Sequence, residues 1–170
     1  MLETERLLFR RYTDDDLDFL TSMLTDPLMV RYIGHGQIRT REEIRAFLDR
    51  ILGHYAAGKG TGLMLAVQKQ DGQPVGHVGL VPQQVEGRDE MEVGYWIARA
   101  HWGKGLASEA ASAFLAYGRE TLGLPRLVSL IHPANAASIG VAKKIGMSFE
   151  RMVTFRGRDV CLYAAGETAS

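Results

Sequence analysis

The stretch MEVGYWIARAHWGKGLASEAA, Met91 to Ala111, decides how this chain is read. Its opening MEVGYWI has the β-branched and aromatic make-up of a buried strand. His101 to Ala111 then sets Gly103 and Gly105 around Lys104 and runs at once into small helix-forming residues. A helix leaves the N–H groups of its first turn without partners, so a strand, a glycine loop and a helix in immediate succession gather several donors at one point. Such a point suits a phosphate. A tight turn that simply needs glycine has the same local sequence, and the loop alone weighs the two readings evenly.

The flanking sequence predicts the frame around this loop. ERLLFRRY (Glu5 to Tyr12) reads as a first strand, and Thr13 with Asp16 as the cap of a helix carrying Leu17, Leu20 and Leu24. Asp26-Pro27 opens a short helical piece. Thr40 with Glu43 forms a capping box ahead of Ile44, Phe47, Leu48, Ile51, Leu52 and Tyr55, whose spacing makes one apolar stripe. GLMLAVQ and PVGHVGLV read as a hairpin around Asp71-Gly72, and MEVGYWI as the next strand. Downstream come a helix from about Ala107 to Leu122, the strand RLVSLIH and a short helix opened by Asn135 and closed at Gly146. A terminal hairpin of FERMVTF and VCLYAA around Arg156-Gly157-Arg158-Asp159 completes the order. The expectation is one α/β (α+β) domain over residues 1–170, a mixed sheet with helices on both faces.

Composition limits the classes of function. Twenty basic side chains balance 20 acidic ones, 46% of the 170 residues are hydrophobic and 24% are charged. No general nucleic-acid surface is expected from that balance, so an anion site must be local. Cys161 is the only cysteine, which excludes an intrachain disulfide and a cysteine-based zinc site. The charged start MLETERLLFRRYTDDD lacks the apolar run of a signal peptide, and no stretch has transmembrane length. A cytoplasmic chain that needs no metal and no membrane is expected.

The phosphate ligand is narrowed by elimination. Neither Gly103-Lys104-Gly105 nor Gly58-Lys59-Gly60-Thr61 completes the ATP-binding G-x-x-x-x-G-K-[ST] loop. The dinucleotide fingerprint needs a third glycine where Ser108 stands, early in a βαβ unit. Both ligands lose ground.

Taken together, the segments resemble the GNAT superfamily of N-acetyltransferases, and within it the RimJ/RimL-type branch that acetylates ribosomal-protein N-termini. Trp102 to Ala107 align with the family's pyrophosphate motif, Q/R-x-x-G-x-G/A, with tryptophan where that branch carries it. TERLLFRRYTDDDLDFL, EVGYWI and Asn135-Ala136-Ala137-Ser138 with Lys144-Ile145-Gly146-Met147 match further blocks in order. Met147 stands in place of the usual phenylalanine.

The resemblance implies acetyl-CoA as cosubstrate and direct transfer to an amine in a ternary complex. It assigns cofactor contacts to Trp102, Gly103, Lys104, Gly105, Leu106, Ala107 and Ser108, and a pantetheine contact to Asn135. It also implies a strand with Trp96 and Ile97 splayed from the strand with Ser129 and Leu130, so that pantetheine pairs with exposed backbone. Glu92 stands where related enzymes keep a catalytic base; a solvated strand-edge carboxylate is the bland alternative. The family's tyrosine acid falls at Ala142, which leaves Ser138 as the nearest donor to sulfur, or else a hydroxyl bonded to local backbone.

The chemistry itself requires an amine that loses its proton, a donor for the oxyanion such as a backbone N–H near Tyr95 to Ile97, and a donor for the thiolate. His77 and His132 compete as bases, with a structural role favoured for each. Asp89 and Glu90, read as loop residues, are expected to attract a cationic substrate. Cys161, Tyr117 and Tyr163 read as packing residues. Lys143 and Lys144 suit a helix C-terminus and lie open to the adenosine phosphate of CoA. Acceptor choice falls to the segments Gly34 to Arg39 and Gln83 to Asp89. A protein N-terminus leads, small amines such as amino acids, antibiotics or polyamines follow, and a non-catalytic CoA sensor is the rival outside enzymology. The terminal hairpin leaves a pairing edge on which a homodimer could form.

Overall fold

The computed structural model describes residues 2–167. The elements run β1 (Leu7–Arg11), a 3-10 turn (Asp14–Asp16), α1 (Leu17–Leu24), α2 (Pro27–Val30), α3 (Arg41–Ala56), β2 (Gly62–Gln68), β3 (Pro74–Val85) and β4 (Arg88–Ile97). Then follow α4 (Leu106–Ala116), β5 (Arg126–Ile131), α5 (Ala136–Lys144), β6 (Ser148–Phe155) and β7 (Arg158–Gly166). Both expected capping boxes form, at Thr13 with Asp16 and at Thr40 with Glu43. Asp26 caps the short α2 with Pro27 at its first position.

The seven strands lie in the order β1-β2-β3-β4-β5-β7-β6. Every neighbouring pair is antiparallel except β4 and β5, which are parallel and meet at one register pair, Glu92 with Val128. The period-two alternation of β2 explains how helices cover both faces. Leu63, Leu65 and Val67 turn toward a cluster containing Leu20 of α1 and Ile44, Leu48 and Ile51 of α3. Met64 and Ala66 turn the other way, toward Ala110, Ala111 and Phe114 of α4. Phe9 of β1 meets Phe114 edge to face, ring centres 5.0 Å apart. Each such buried side chain contributes about 1.5–3 kcal/mol by leaving water.

Two boundaries differ from expectation. The helix after the glycine loop is α-helical only to Ala116 and continues as a wider π turn over Tyr117–Thr121. Gly118 lies in that turn because a Cβ there would stand 2.9 Å from Leu127 and 3.1 Å from Leu80. The segment Gln83 to Asp89 is no loop. Strand pairing continues from Gly76–Ile97 to Val85–Arg88, and only Glu86 and Gly87, both with positive φ, make the turn. Two left-handed residues form the primed hairpin turn that matches strand twist. The terminal hairpin is likewise tighter than read: Phe155 pairs with Arg158 across Arg156 and Gly157, so Arg158 and Asp159 are strand residues.

A third cluster, Val85, Val128, Val153 and Leu162, lies on the α1–α3 side. The tip of the β3–β4 hairpin docks there on β6, where Glu86 accepts from Arg151 and from the Thr154 N–H. The sheet therefore curls, and the terminal hairpin comes round toward the face that carries Glu92.

Candidate active site

The parallel pair is a fork. Beyond Glu92 and Val128 the strands part, and side chains replace the ladder at the junction. Ser129 Oγ donates to the Val93 carbonyl at 2.9 Å, and the Leu130 N–H donates to Glu92 Oε2 at 3.3 Å. Since the Val93 carbonyl faces β5, alternation turns the backbone groups of Tyr95 and Ile97 into the fork and those of Gly94 and Trp96 toward β3. The Ile97 carbonyl is taken by the Trp102 indole N–H at 2.6 Å. The N–H groups of Tyr95 and Ile97 remain on the open edge.

Glu92 projects to the α1–α3 side of the fork. Gln83 of β3 donates to its Oε1 at 3.0 Å. Burial pushes its carboxyl above the usual glutamate range, opposed by Gln83, the Leu130 N–H and the charge of Arg156. A carboxylate held so is a stronger proton acceptor than a solvated one.

On the other side, Gly103 and Gly105 adopt φ +76 and +78, which only glycine reaches cheaply. Gly105 caps α4 without a side-chain bond. Among the described residues, no N–H from Gly103 to Ser108 donates to a protein backbone acceptor. A Cβ at Gly103 would meet nothing within 4 Å, so the loop is open outward. This cradle suits a pyrophosphate.

At the start of α5, Asn135 Oδ1 accepts from the Ser138 N–H at 3.2 Å. The Tyr95 hydroxyl donates to the Ser138 carbonyl at 2.9 Å. Burial pushes the Tyr95 phenol up to about 12, with hydrogen bonding to Ser138 and Ser129 acting the other way. Three hydroxyl-bearing residues thus converge from β4, β5 and α5. Ala142 is fully buried against the α4 side, so no cleft group arises there.

The other anticipated residues separate clearly. Trp96 stacks on Phe47 at 5.4 Å and turns its ring into the α3 core, away from the fork. His77 is 1% exposed, shares a 2.8 Å hydrogen bond at Nδ1 with the Tyr12 hydroxyl and is pushed down to about 3 by burial, so its role is structural. His132 Nδ1 accepts from the Ala134 N–H in a turn. Glu90 is a correction: as a strand residue it is buried in a two-oxygen ion pair with Arg126, which also holds Glu150, and it offers no surface charge. Asp89 is on the same strand and accepts from Gln84. Cys161 packs against Met152, Tyr163 against Phe149, and the Tyr117 hydroxyl donates to the Gly60 carbonyl. Lys143 and Lys144 stand exposed in the last turn of α5.

Sequence reasoning missed Arg6. Its Nη1 donates to the Lys104 carbonyl at 2.9 Å and its Nε to Glu109 at 2.8 Å, while Thr4 Oγ1 holds the other Glu109 oxygen. The segment just before β1 thereby ties down the glycine loop. A separate cavity of about 360 Å³ begins where β4 ends, between α1, α2 and Ala98–Ala100, and is crossed by the Arg99–Asp26 ion pair at 2.8 Å. No helix among the described residues is long and apolar enough to cross a membrane.

Comparison with known proteins agrees with this geometry. A family model described as an acetyltransferase (GNAT) domain matches residues 6–148. The chain is 35% identical to the uncharacterized protein YkkB of Bacillus subtilis over 163 residues, 95% of this chain and 93% of that protein. An acetyltransferase of Agrobacterium tumefaciens superposes with a TM-score of 0.84 at 26% identity, over 98% of this chain and 94% of that one. RimL, a ribosomal-protein α-N-acetyltransferase solved with coenzyme A, shares the fold with a TM-score of 0.77 at 18% identity, over 96% and 95% of the two chains.

Proposed function

This chain is an acetyltransferase of the GNAT family, and from that premise we propose that it moves the acetyl group of acetyl-CoA to a primary amine by direct attack, with a protein N-terminal α-amino group as acceptor. The observation that carries the reading is the fork. It puts free backbone donors, a half-buried carboxylate and an open amide cradle around one gap. The amides of Gly103 to Ser108 hold the pyrophosphate, steadied by Arg6 through the Lys104 carbonyl. Pantetheine lies along the open edge of β4 at Tyr95 and Ile97, and the Asn135 amide nitrogen contacts it beside α5. Lys104, Leu106 and Trp102 shape the loop.

Glu92 accepts the proton from the amine, directly or through water, its raised affinity bringing it closer to an α-amino group of about 8. The N–H groups of Tyr95 and Ile97 face the developing oxyanion. Ser138 donates to the departing sulfur, with the Tyr95 hydroxyl beside it. The absence of a tyrosine at Ala142 favours the second reading, a CoA-binding sensor without turnover.

Thermal melting with acetyl-CoA, CoA, ATP and NAD tests the cofactor: a ligand at a hundred times its dissociation constant stabilises by roughly 2.7 kcal/mol. A rise with the CoA compounds alone is expected; a rise with ATP or NAD instead overturns the assignment. Thiol release with amine acceptors then separates enzyme from sensor.

A further inference from the structure

We propose that Arg126 is the positioning residue of the fork: its two-oxygen clasp on Glu90 sets the point at which β4 and β5 part, and with it the place of Glu92. This rests on the acetyl-transfer reading given above and adds to it the device that fixes the geometry of the site.

Register puts the clasp where such a device has to stand. Glu92 and Val128 are the single ladder pair of β4 and β5, and Glu90 and Arg126 each lie two residues before them on their own strands. By alternation all four side chains fall on one face of the sheet, where Val128 packs with Val153 and Leu162. Arg126 Nε and Nη2 donate to the two oxygens of Glu90 at 2.9 and 2.8 Å. Above the ladder pair, Ser129 Oγ reaches the Val93 carbonyl and the Leu130 N–H reaches Glu92, both across a widening gap. The clasp is therefore the fixed side of the fork, about 7 Å of strand below Glu92.

Arg126 is itself held from further sides. Nη1 and Nη2 also bind the two oxygens of Glu150, each at 2.8 Å, and Nη1 donates to the Glu167 carbonyl at 2.9 Å. These bonds together use every N–H that a guanidinium carries. Glu150 stands at the bulge of β6 between Phe149 and Arg151, out of register with β7, and a bulge re-aims the side chain it carries. The side chains of Arg126 and Glu90 are 12% and 6% exposed, so water does not compete for the pair.

Buried ions of this kind are a poor device for stability alone. Taking them out of water costs nearly all that their attraction returns, and an apolar trio of the same volume would hold the strands about as well. What the ions add is geometry, since a guanidinium on two oxygens fixes distance and plane together. A ladder reduced to one pair has little power to set its own register. The Leu130 bond to Glu92, at 3.3 Å, is already long, and a small tilt of β5 would break it and release the carboxylate.

The test uses Glu90→Gln, which sets an amide against the guanidinium, and Arg126→Lys, whose ammonium cannot bind both Glu90 oxygens in one plane. Arg151→Gln, which removes an ion pair to Glu86 further out on β6, is the control. Two readouts are taken on folded protein: exchange of the Leu130 amide relative to the amides of β2, and kcat against the KM for acetyl-CoA. The clasp variants should speed Leu130 exchange about tenfold or more and lower kcat about ten- to a hundredfold, the scale of a small misplacement of a reacting group. The KM, set at the glycine loop, should hold within about twofold. Arg151→Gln should move neither readout. A lower melting temperature with both readouts unmoved shows ions that only stabilise and overturns the proposal; so does faster Leu130 exchange with full kcat. Should Glu90→Gln fail to fold, Arg126→Lys, which keeps the charge, decides alone. If the wild-type protein turns over no amine, acetyl transfer fails and Leu130 exchange judges the clasp by itself: faster exchange in the clasp variants keeps Arg126 as the residue that sets the fork, and unchanged exchange overturns it.

Discussion

Leu130 donates its backbone N–H to the Glu92 carboxylate at 3.3 Å, across the gap where the β4–β5 ladder has ended. The side chain that occupies the base position therefore also satisfies a strand donor that the fork would otherwise orphan. Burial raises its pKa. A carboxyl bound more tightly by protons in the folded than in the unfolded state stabilises the fold below its ordinary pKa, and that contribution is lost as pH rises through the folded value. Glu92→Gln should then raise the melting temperature at neutral pH while cutting kcat by about 10²–10⁴. The acid limb of kcat/KM should lie above the ordinary glutamate value of about 4.3. A limb at or below that value, or a variant with full kcat, would remove Glu92 from proton transfer.

Arg6 acts on the cofactor loop from the far end of the chain. It bridges the Lys104 carbonyl and Glu109, and Glu109 in turn holds Thr4. Replacing it with Gln frees the loop without touching any amide of the cradle. The expected result is a KM for acetyl-CoA raised about three- to tenfold, corresponding to roughly 1 kcal/mol, with kcat at saturation little altered. Arg6→Lys should rescue poorly, since an ammonium cannot span both acceptors. An unchanged KM would show that the loop holds its shape alone.

The sequence made the frame legible because its signals are local. Capping boxes at Thr13 and Thr40, the Asp26 cap and the glycines at 103 and 105 act through neighbouring backbone, and all stand where they were read. The turns at Glu86-Gly87 and Arg156-Gly157 were misjudged because a left-handed Glu or Arg is set by strand register rather than by its own preference. Glu90 was misplaced for the same reason, and its partners Arg126 and Glu150 come from remote strands. Arg6 escaped notice because its targets lie about a hundred residues away. A fork is a missing ladder, and no residue pattern by itself announces absent hydrogen bonds.

Tyr95 and Ser138 offer a prediction on the leaving group. The phenol donates to the Ser138 carbonyl and keeps its proton up to about pH 12. Its folded pKa exceeds the unfolded value of 10.0, so the stability it contributes is intact below pH 10 and lost as pH rises toward 12. Tyr95→Phe should cost about 1 kcal/mol of stability from one hydrogen bond. Ser138→Ala should lower kcat about tenfold or more with acetyl-CoA binding retained, and the double variant should show less than the sum, because one donor supports the other. Strict additivity would mean that the two hydroxyls act apart.

Gly94 separates packing from function. It lies between Glu92 and Trp96 on the same face of β4, and a Cβ there would meet only Leu63 Cδ2, at 3.7 Å. Glycine inside a strand weakens it, and a site where a ligand approaches backbone is one reason to keep it. The protein itself has room for the methyl group. Gly94→Ala should therefore stabilise the fold by about 0.4–1 kcal/mol through the unfolded chain. If an amine must come down on this face to reach Glu92, the same methyl should raise the acceptor KM while that of acetyl-CoA, bound from the α4 side, holds. Melting curves and two-substrate kinetics on one variant decide it. A stabilised enzyme with an unchanged acceptor KM would move the amine's approach away from this face of the fork.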